Sequence, residues 1–405
     1  MKLTSITLKN LKCFSDFVLN LQNPNTEQPL QVCALVGANG SGKTTILKSI
    51  VSTFSIANKS YGGDIFDKKA IRLGEKFASV SINFLLNDYE KNALKRHQQF
   101  STISSEYDII KVEADSYEEP ILSDEVYLSE DIPIDIDPVS RYGLNCFMTE
   151  NFEQEFQYGL SVPYFFEKKL TSTEDFERET APYAAFLSHL CKLNGTLIVY
   201  FDAFRYLTEE NPASPNFSNT ITRPKVSALS STISKDGCLS PRYFDLKQWF
   251  FNLDFALLKK PNPHTEKIRN HFIKACNKLF DPLQFYEISE LGEILFKDIE
   301  TEEIVNLNML SDGFKSVFII IAELLHRLSL SYNPEKNENI EFYEMEAVVL
   351  IDEIDCHIHP RWQTNLLPAL TQLFPNCQFI VTTHSPFILK KLEEYEIKQI
   401  GGKIE

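Results

Sequence analysis

The chain has 405 residues, 43% of them hydrophobic and 24% charged, with a formal net charge of −16. That composition fits a globular protein of two or three folding units, or one large composite domain. The acidity argues against a broad grip on a phosphate backbone, which takes its non-specific affinity from basic residues, though it leaves room for a local basic patch. The longest apolar run, 317–322, lies between Lys315 and Glu323 and is too short to cross a bilayer. No basic-then-apolar leader opens the sequence. Its eight cysteines are scattered without a C-x-x-C pair. Neither a zinc site nor a disulfide framework is expected; most of them read as small core residues, and a cytoplasmic setting away from membranes is expected.

Residues 1–21 begin with alternation: Ile6 and Leu8 face one way, Thr7 and Lys9 the other. This predicts an edge-type strand, a turn near Asn10 and a second strand to Leu21. Residues 31–50, QVCALVGANGSGKTTILKSI, read as a buried strand (Val32, Ala34, Leu35, Val36), a glycine-rich turn and a helix. Ile46, Leu47, Ile50, Val51 and Phe54 fall on one face of that helix. Gly37-x-x-x-x-Gly42-Lys43-Thr44 matches the phosphate-binding P-loop pattern in full. The chemistry accounts for the spacing. Without a Cβ at Gly37, Gly40 and Gly42, the backbone curls and aims successive N–H groups at phosphate oxygens. The helix that follows adds its positive end to the same anion. A nucleotide is therefore expected against Gly37, Ala38, Asn39, Gly40, Ser41, Gly42, Lys43, Thr44 and Thr45. Lys43 would reach the β- and γ-phosphates, and the Thr44 hydroxyl would complete a Mg²⁺ shell.

Residues 77–86 alternate more cleanly, with Val80, Ile82 and Phe84 apolar against Ser79, Ser81 and Asn83. A half-buried strand is expected, part of a small antiparallel layer beside the P-loop sheet. From about Asn87 to Leu193 the texture turns acidic, and 101–160 carry only Lys111 and Arg141 as basic residues. Ile132, Ile134 and Ile136 alternate with Asp131, Asp135 and Asp137, as in an exposed strand whose edge Pro133 and Pro138 would block. Two readings stay open for this stretch: a solvated acidic insertion, or a docking surface for a basic partner or mimic of nucleic-acid charge. Residues 175–193 look helical and close at Asn194-Gly195. Residues 196–202, TLIVYFD, form a second apolar strand expected in the central sheet, followed by Phe204 and Arg205. The Ser-, Pro- and Asn-rich stretch 208–243 reads as a long loop. Helical texture returns at 245–280, with Trp249, Phe250, Leu253, Leu257 and Leu258 on one side. Short strand-like runs, including Ile294, Leu295 and Phe296, follow in 285–307. There is no internal repeat and no sustained heptad, so no long coiled-coil arm is expected. The boundaries read from these changes are 1–86, 87–195, 196–243 and 244–405.

Three further motifs lie in the last part. In Leu310-Ser311-Asp312-Gly313-Phe314-Lys315-Ser316, Ser311 is a good N-cap, and Gly313 leaves the first N–H groups of the apolar helix open to a ligand. An ordinary capped core helix is the competing reading. Ala347-Val348-Val349-Leu350-Ile351 is a continuous apolar run, as in a strand covered on both faces, and it ends in Asp352-Glu353. Two acids closing a buried strand are costly unless a metal or a hydrogen-bond network receives them. Beside the P-loop, Asp352 would hold Mg²⁺ through water, and Glu353 would polarise the water that attacks the γ-phosphate. Residues 378–386, QFIVTTHSP, form another apolar strand that ends near His384. That histidine contacts the γ-phosphate, positions the attacking water, or is simply structural.

In this order GANGSGKTT, LSDGFKS, VVLIDEID and TTHSP resemble the Walker A, signature, Walker B/D-loop and switch-histidine motifs of ABC-type ATPase heads. The opening MKLTSITLKNLKCF and the IDEIDCHIHP variant are similar to the RecF, SMC and OLD branch rather than to transporter cassettes. LSDG together with the DE…H-x-HP pattern resembles the compact ATPases of bacterial phage-defence systems of the Septu, PARIS and retron-associated kinds. The likeness covers roughly 1–86 and 244–390. It implies an α/β P-loop NTPase with a central, mostly parallel sheet, an antiparallel β layer and a helical signature lobe. It also implies that two heads sandwich two ATP molecules. Ser311 and Gly313 of one copy would complete the site holding Lys43, Thr44, Asp352, Glu353 and His384 of the other. In isolation His357-x-His359 would pass for a metal pair; the resemblance makes it a D-loop feature at the dimer interface. The Q-loop glutamine of the pattern is not assignable, and the nearest related element is the strand end near Asp202 and Arg205.

The resemblance further implies ATP as ligand and Mg²⁺ as cofactor, slow hydrolysis of ATP, and a dimer or higher even-numbered oligomer. No nuclease-type carboxylate cluster is read outside the ATPase motifs. A separate effector such as a nuclease or toxin is the expected partner, in an anti-phage defence setting. The alternative is a RecF-like repair or replication accessory that binds DNA directly, which the net charge of −16 disfavours. A transporter cassette is disfavoured by the opening motif and by the lack of a membrane segment.

Overall fold

The computed structural model describes residues 1–57, 71–75, 77–85, 87, 142–149, 158–159, 198–205, 207, 244–332 and 340–401. In chain order the first elements are β1 (Lys2–Leu11), β2 (Phe14–Asn20), β3 (Val32–Val36), α1 (Lys43–Ala57), β4 (Phe77–Leu85), β5 (Tyr142–Thr149), β6 (Tyr158–Gly159) and β7 (Ile198–Phe201). There follow α2 (Phe244–Lys259), α3 (Pro263–Leu279), β8 (Leu283–Ile288), β9 (Ile294–Asp298), β10 (Ile304–Asn306) and α4 (Asp312–Ser331). The last are β11 (Val348–Ile351), α5 (Pro360–Leu373), β12 (Gln378–Thr382), α6 (Pro386–Leu389) and β13 (Ile397–Gln399). They divide into two units, Met1–Asn20 with Ser52–Thr196, and Leu21–Val51 with Leu197–Glu405.

The first unit holds an antiparallel sheet in the order β2-β1-β4-β5-β6. Its apolar face comes from the alternation at the start of the chain. Ile6 lies opposite Leu19 and Ile82, and Leu8 opposite Phe17 and Val80, so the alternate apolar residues share one buried face. A register break between Leu3 and Ser5 inserts Thr4 and lets Leu3 join Ile6 and Leu8 inside, despite its odd spacing. The turn expected near Asn10 falls at Lys12-Cys13, with Asn10 and Lys12 left-handed at φ of 51° and 50°. One expectation changes here: β1 is an inner strand, not an edge, because β4 pairs with its other side. β5, which lies inside the stretch read as an acidic insertion, pairs with β4 over its whole length.

The second unit holds a parallel sheet in the order β13-β3-β12-β11-β7. VVLI, QFIVT and IVYF are buried at every position, as expected for strands covered on both faces. The one amide among them, Gln378, donates from Nε2 to the Leu30 carbonyl at 3.1 Å, which meets the cost of burying it. On α1, Ile46, Leu47, Ile50 and Val51 are buried.

The helical lobe builds on α3 and α4. Asn262 caps α3, accepting from the N–H groups of His264 at 2.9 Å and Thr265 at 3.4 Å, with Pro263 at the first helical position. Ile268, Phe272, Ala275, Cys276 and Leu279 then form its buried stripe. α4 is buried on almost every side from Phe314 to Leu328, so its charged pair, Glu323 and Arg327, is internal, joined at 2.7 Å across one helical turn. α2 turns Trp249, Phe250 and Leu253 inward, whereas Leu258, expected on that side, is 79% exposed. β8, β9 and β10 make a small antiparallel sheet.

Cys33, Cys276 and Cys377 are buried, Cys356 half-buried and Cys13 exposed. Among the described residues no helix is long and apolar enough to cross a membrane. The strand read at 132–137, the helix at 175–193, the loop at 208–243 and the side chain of Phe54 lie outside the described residues.

Candidate functional site

β3, β12, β11 and β7 run parallel, so the four loops after them leave from one edge of the sheet. The carboxyl end of such a sheet is where ligands bind in open α/β folds. The loop after β3 is 37–42. Gly40 and Gly42 sit at φ +79° and +99°, the left-handed region that L side chains enter at a cost. Gly37 has a different need: a Cβ there would stand 2.2 Å from the Ile400 carbonyl oxygen. Ile400, just beyond β13, donates from its N–H to Val36 at 2.7 Å. The segment after β13 thus presses on the P-loop from outside, a support that sequence reading missed. Ala38, Asn39 and Gly40 are exposed, while Ser41, Gly42, Thr44 and Thr45 are half-buried.

Lys43 is only 7% exposed. Its ammonium donates to the carbonyls of Gly37 at 2.8 Å and Ala38 at 3.0 Å, so it is folded back over its own loop. Burial lowers its pKa, and the carboxylates of Asp352, Glu353 and Asp355 pull it back up.

The loop after β11 carries the two acids. Thr44 donates from Oγ1 to Asp352 Oδ2 at 2.7 Å, joining the first turn of α1 to a residue 308 positions away. Thr382, at the end of β12, donates to Asp352 Oδ1 at 2.6 Å and accepts from the Glu353 N–H at 2.7 Å. Asp352 is 4% exposed, and these two hydroxyls are the network that its burial requires. Glu353 has an exposed side chain on a backbone at φ +46°. Such a φ costs a non-glycine residue about 1–2 kcal/mol. The loop after β7 supplies Arg205, which is buried and donates to the carbonyls of both Asp352 and Glu353.

Ser311 is the N-cap residue of α4 but makes no side-chain capping bond, contrary to the capping expected of it; its side chain is exposed. Gly313 is buried, and a Cβ there would lie 2.3 Å from the His357 carbonyl oxygen. The start of α4 therefore lies against the chain's own loop after the two acids. That loop, 355–358, is held by a chain of side chains. Thr383 donates to Asp355, Ser385 donates to Gln363, and Gln363 Nε2 donates to the Ile358 carbonyl at 2.6 Å. His384 is exposed two residues beyond β12, beside Ser385, which caps α6. His359 accepts through Nδ1 from the Arg361 N–H at 3.2 Å and caps α5. Among the described residues no three His, Cys, Asp or Glu side chains converge to hold a metal by themselves.

A parallel sheet with a P-loop after one strand, paired acids after another and a helix start lying on the acid loop defines an α/β P-loop ATPase. The family model described as AAA ATPase domain matches residues 1–389, and the chain belongs to that family. The Retron Ec83 probable ATPase of Escherichia coli is 25% identical, over 98% of this chain and 71% of that protein. The Retron Vc95 probable ATPase of Vibrio cholerae serotype O1 biovar El Tor is also 25% identical, over 99% of this chain and 74% of that one. The Septu protein PtuA of Bacillus thuringiensis is 29% identical over 40% of each chain. Among solved structures, an SMC head bound to the C-winged helix domain of ScpA aligns with 17% identity and a TM-score of 0.46, covering 96% of this chain and 91% of that one.

Proposed function

We propose that the chain binds ATP with Mg²⁺ at the edge formed by Lys43, Thr44, Asp352 and Glu353, and hydrolyses it to ADP and phosphate. The observation that carries this reading is the 2.7 Å contact between the Thr44 hydroxyl and the Asp352 carboxylate. A hydroxyl and a carboxylate are hard oxygen donors of the kind Mg²⁺ takes, with phosphate and water filling the rest of its shell. The ion would supply charge neutralisation between the β- and γ-phosphates. Lys43 would leave the carbonyls of Gly37 and Ala38 to meet the phosphates, and the N–H groups of 37–45 would cradle them. Glu353 would take the proton of the attacking water, with His384 near the same edge contacting the γ-phosphate or that water.

The proposal extends to assembly. Ser311, exposed and free of a capping bond, and the N-terminus of α4 would close a second copy's nucleotide, giving a head-to-head dimer or a higher even-numbered oligomer. The likeness to retron ATPases and a Septu protein supports a bacterial anti-phage defence setting, in which ATP-driven assembly controls a separate effector such as a nuclease or toxin. The test is Glu353→Gln beside Lys43→Ala. Glu353→Gln is expected to keep ATP bound, lose turnover and shift to a dimer or larger species by light scattering. Lys43→Ala is expected to lose ATP binding. An ATP-loaded Glu353→Gln protein that stays monomeric would sink the sandwich.

A further inference from the structure

Arg205 has no part in the roles assigned above, yet it is 5% exposed and stands at the centre of the site's backbone. Its Nη1 donates to the Asp352 carbonyl at 2.8 Å and its Nη2 to the Glu353 carbonyl at 3.0 Å. Nη1 also donates to the Asp202 carbonyl, and Nε donates to the Ser316 hydroxyl at 2.8 Å. Ser316 is buried in the second turn of α4, three residues after Gly313.

The need for such a group follows from where β11 stops. The Asp352 N–H still donates to Phe201 of β7 at 2.8 Å, but at Glu353 the backbone turns left-handed and the ladder ends. The Asp352 carbonyl then requires another donor, while that of Glu353 accepts from the Cys356 N–H at 3.0 Å and offers a second lone pair; a planar guanidinium reaches both neighbouring oxygens in fixed directions. With the Glu353 N–H held by Thr382, both peptide planes flanking the Glu353 Cα are pinned. The fourth donor direction reaches α4, the helix whose first residues also lie on residues 357 and 358.

We propose that Arg205 is a positioning residue. It fixes the backbone from which the Glu353 carboxylate hangs, and it ties that backbone to α4 of the same copy through Ser316. This rests on the ATPase reading given above. When α4 is drawn toward a second copy's nucleotide, the pull reaches the copy's own Glu353 through one side chain. A lysine offers a point charge in place of the fork and cannot hold the carbonyls and the hydroxyl together.

The test uses the full chain carrying Arg205→Lys, Ser316→Ala or both, with the wild type and Glu353→Gln alongside. Fluorescent-nucleotide titration gives ATP affinity, steady-state assays give kcat and KM, and thermal unfolding reports the fold. Misplacing a reacting group by about 1 Å costs on the order of 100-fold in rate, so Arg205→Lys is expected to lower kcat about that much while ATP affinity stays within about 3-fold. Ser316→Ala leaves one buried guanidinium N–H without its acceptor, so the unfolding midpoint is expected to fall modestly, while ATP affinity stays within about 3-fold and kcat falls about 3- to 10-fold; the double variant should be no slower than Arg205→Lys, as for residues on one path. The assignment is overturned if Ser316→Ala turns over like the wild type. It is equally overturned if Arg205→Lys loses ATP affinity and thermal stability in step with kcat, the mark of a purely structural arginine. If Arg205→Lys does not fold, Ser316→Ala alone decides. Wild-type turnover that Glu353→Gln leaves unchanged would instead remove the ATPase reading itself.

Discussion

The Thr382 hydroxyl donates to Asp352 at 2.6 Å, and the same oxygen accepts the N–H of Glu353 at 2.7 Å. A hydroxyl can do both at once because it carries one proton and two lone pairs. The register explains why it is in place: Ile351 of β11 lies beside Val381 of β12, so the residues next in sequence, Asp352 and Thr382, meet as the sheet ends. The neighbouring strand thereby indexes both acids against the P-loop.

Thr382→Val keeps the shape and the β propensity but removes that hydroxyl. It leaves a buried carboxylate oxygen and a backbone N–H without their partner, a loss of about 1–3 kcal/mol. The variant should unfold at a lower temperature. Its kcat should fall about 10- to 100-fold, because Glu353 loses one of the bonds holding its left-handed backbone. Thermal unfolding and steady-state hydrolysis measure the two; an unchanged kcat would mean that the Thr382 bonds do not set the position of Glu353.

Gly313→Ala sets two effects against each other. Alanine in a helix is favoured over glycine by about 1 kcal/mol. The added Cβ would lie 2.3 Å from the His357 carbonyl oxygen, a backbone atom that cannot rotate away. Overpacking of that kind costs about 1–3 kcal/mol or more, so the clash wins. The variant should be less stable than the wild type by chemical denaturation and should hydrolyse ATP more slowly, as residues 355–358 are pushed aside. A net gain in stability would show that α4 and this loop separate readily.

The motifs that were legible in sequence share one property: their residues are adjacent in the chain. Val32–Val36 followed by 37–43, and Val348–Ile351 followed by Asp352-Glu353, carry their meaning locally through period, glycine spacing and charge. What was not legible depends on pairing at long range. β13 is three residues of IKQ, with no periodic signal, and becomes a strand only because β3 offers an open edge. β1 looked like an edge because its partner β4 lies far along the chain, and β5 was hidden within an acidic stretch. Gly313 was read for the N–H groups it leaves open at the start of α4; that a Cβ there would also meet the His357 carbonyl depends on a loop far along the chain. Arg205 was noted for following a strand and as lying near the element related to the Q-loop, not for its bonds; the four acceptors described above come from three separate parts of the chain.

His271 on α3 gives the fold an acid-sensitive point. It stacks on Tyr343 with ring centroids 4.2 Å apart, and among the described residues its buried Nε2 has no hydrogen-bond partner. Burial lowers its pKa to about 4, with a backbone hydrogen bond at Leu373 acting the other way and Lys274 adding to the fall. A histidine depressed in the folded state favours folding fully above its unfolded value of about 6.5, and that contribution is lost as pH falls toward 4. His271→Phe should therefore gain on the wild type as pH drops from about 7 to about 4, by on the order of 1–2 kcal/mol after allowance for the ring's solvent contact. Denaturation of the two proteins across that range measures it, and the subtraction removes the carboxylates common to both. A difference that stays flat with pH would place the ring in a more solvated setting.

Asp352→Asn tests whether the Thr44–Asp352 pair is where Mg²⁺ binds. A ligand that binds only the folded state raises stability by about 2.7 kcal/mol at 100 times its dissociation constant. The wild type should show a rise of that order with ATP when Mg²⁺ is present, and much less when the ion is chelated. Asparagine keeps the shape, its one amide oxygen accepting from Thr382 and its NH2 donating to the Thr44 hydroxyl, but it lacks the charge that a hard divalent ion favours. The variant should hold its apo unfolding midpoint near the wild-type value, because removing a buried carboxylate offsets the weaker hydrogen bonds. Its response to ATP should be small and nearly the same with and without Mg²⁺. Thr44→Val should behave alike, since it removes the other oxygen of the 2.7 Å pair. A Mg²⁺-dependent rise in both variants equal to that of the wild type would place the ion elsewhere, and the pair would then be a structural clasp between α1 and β11.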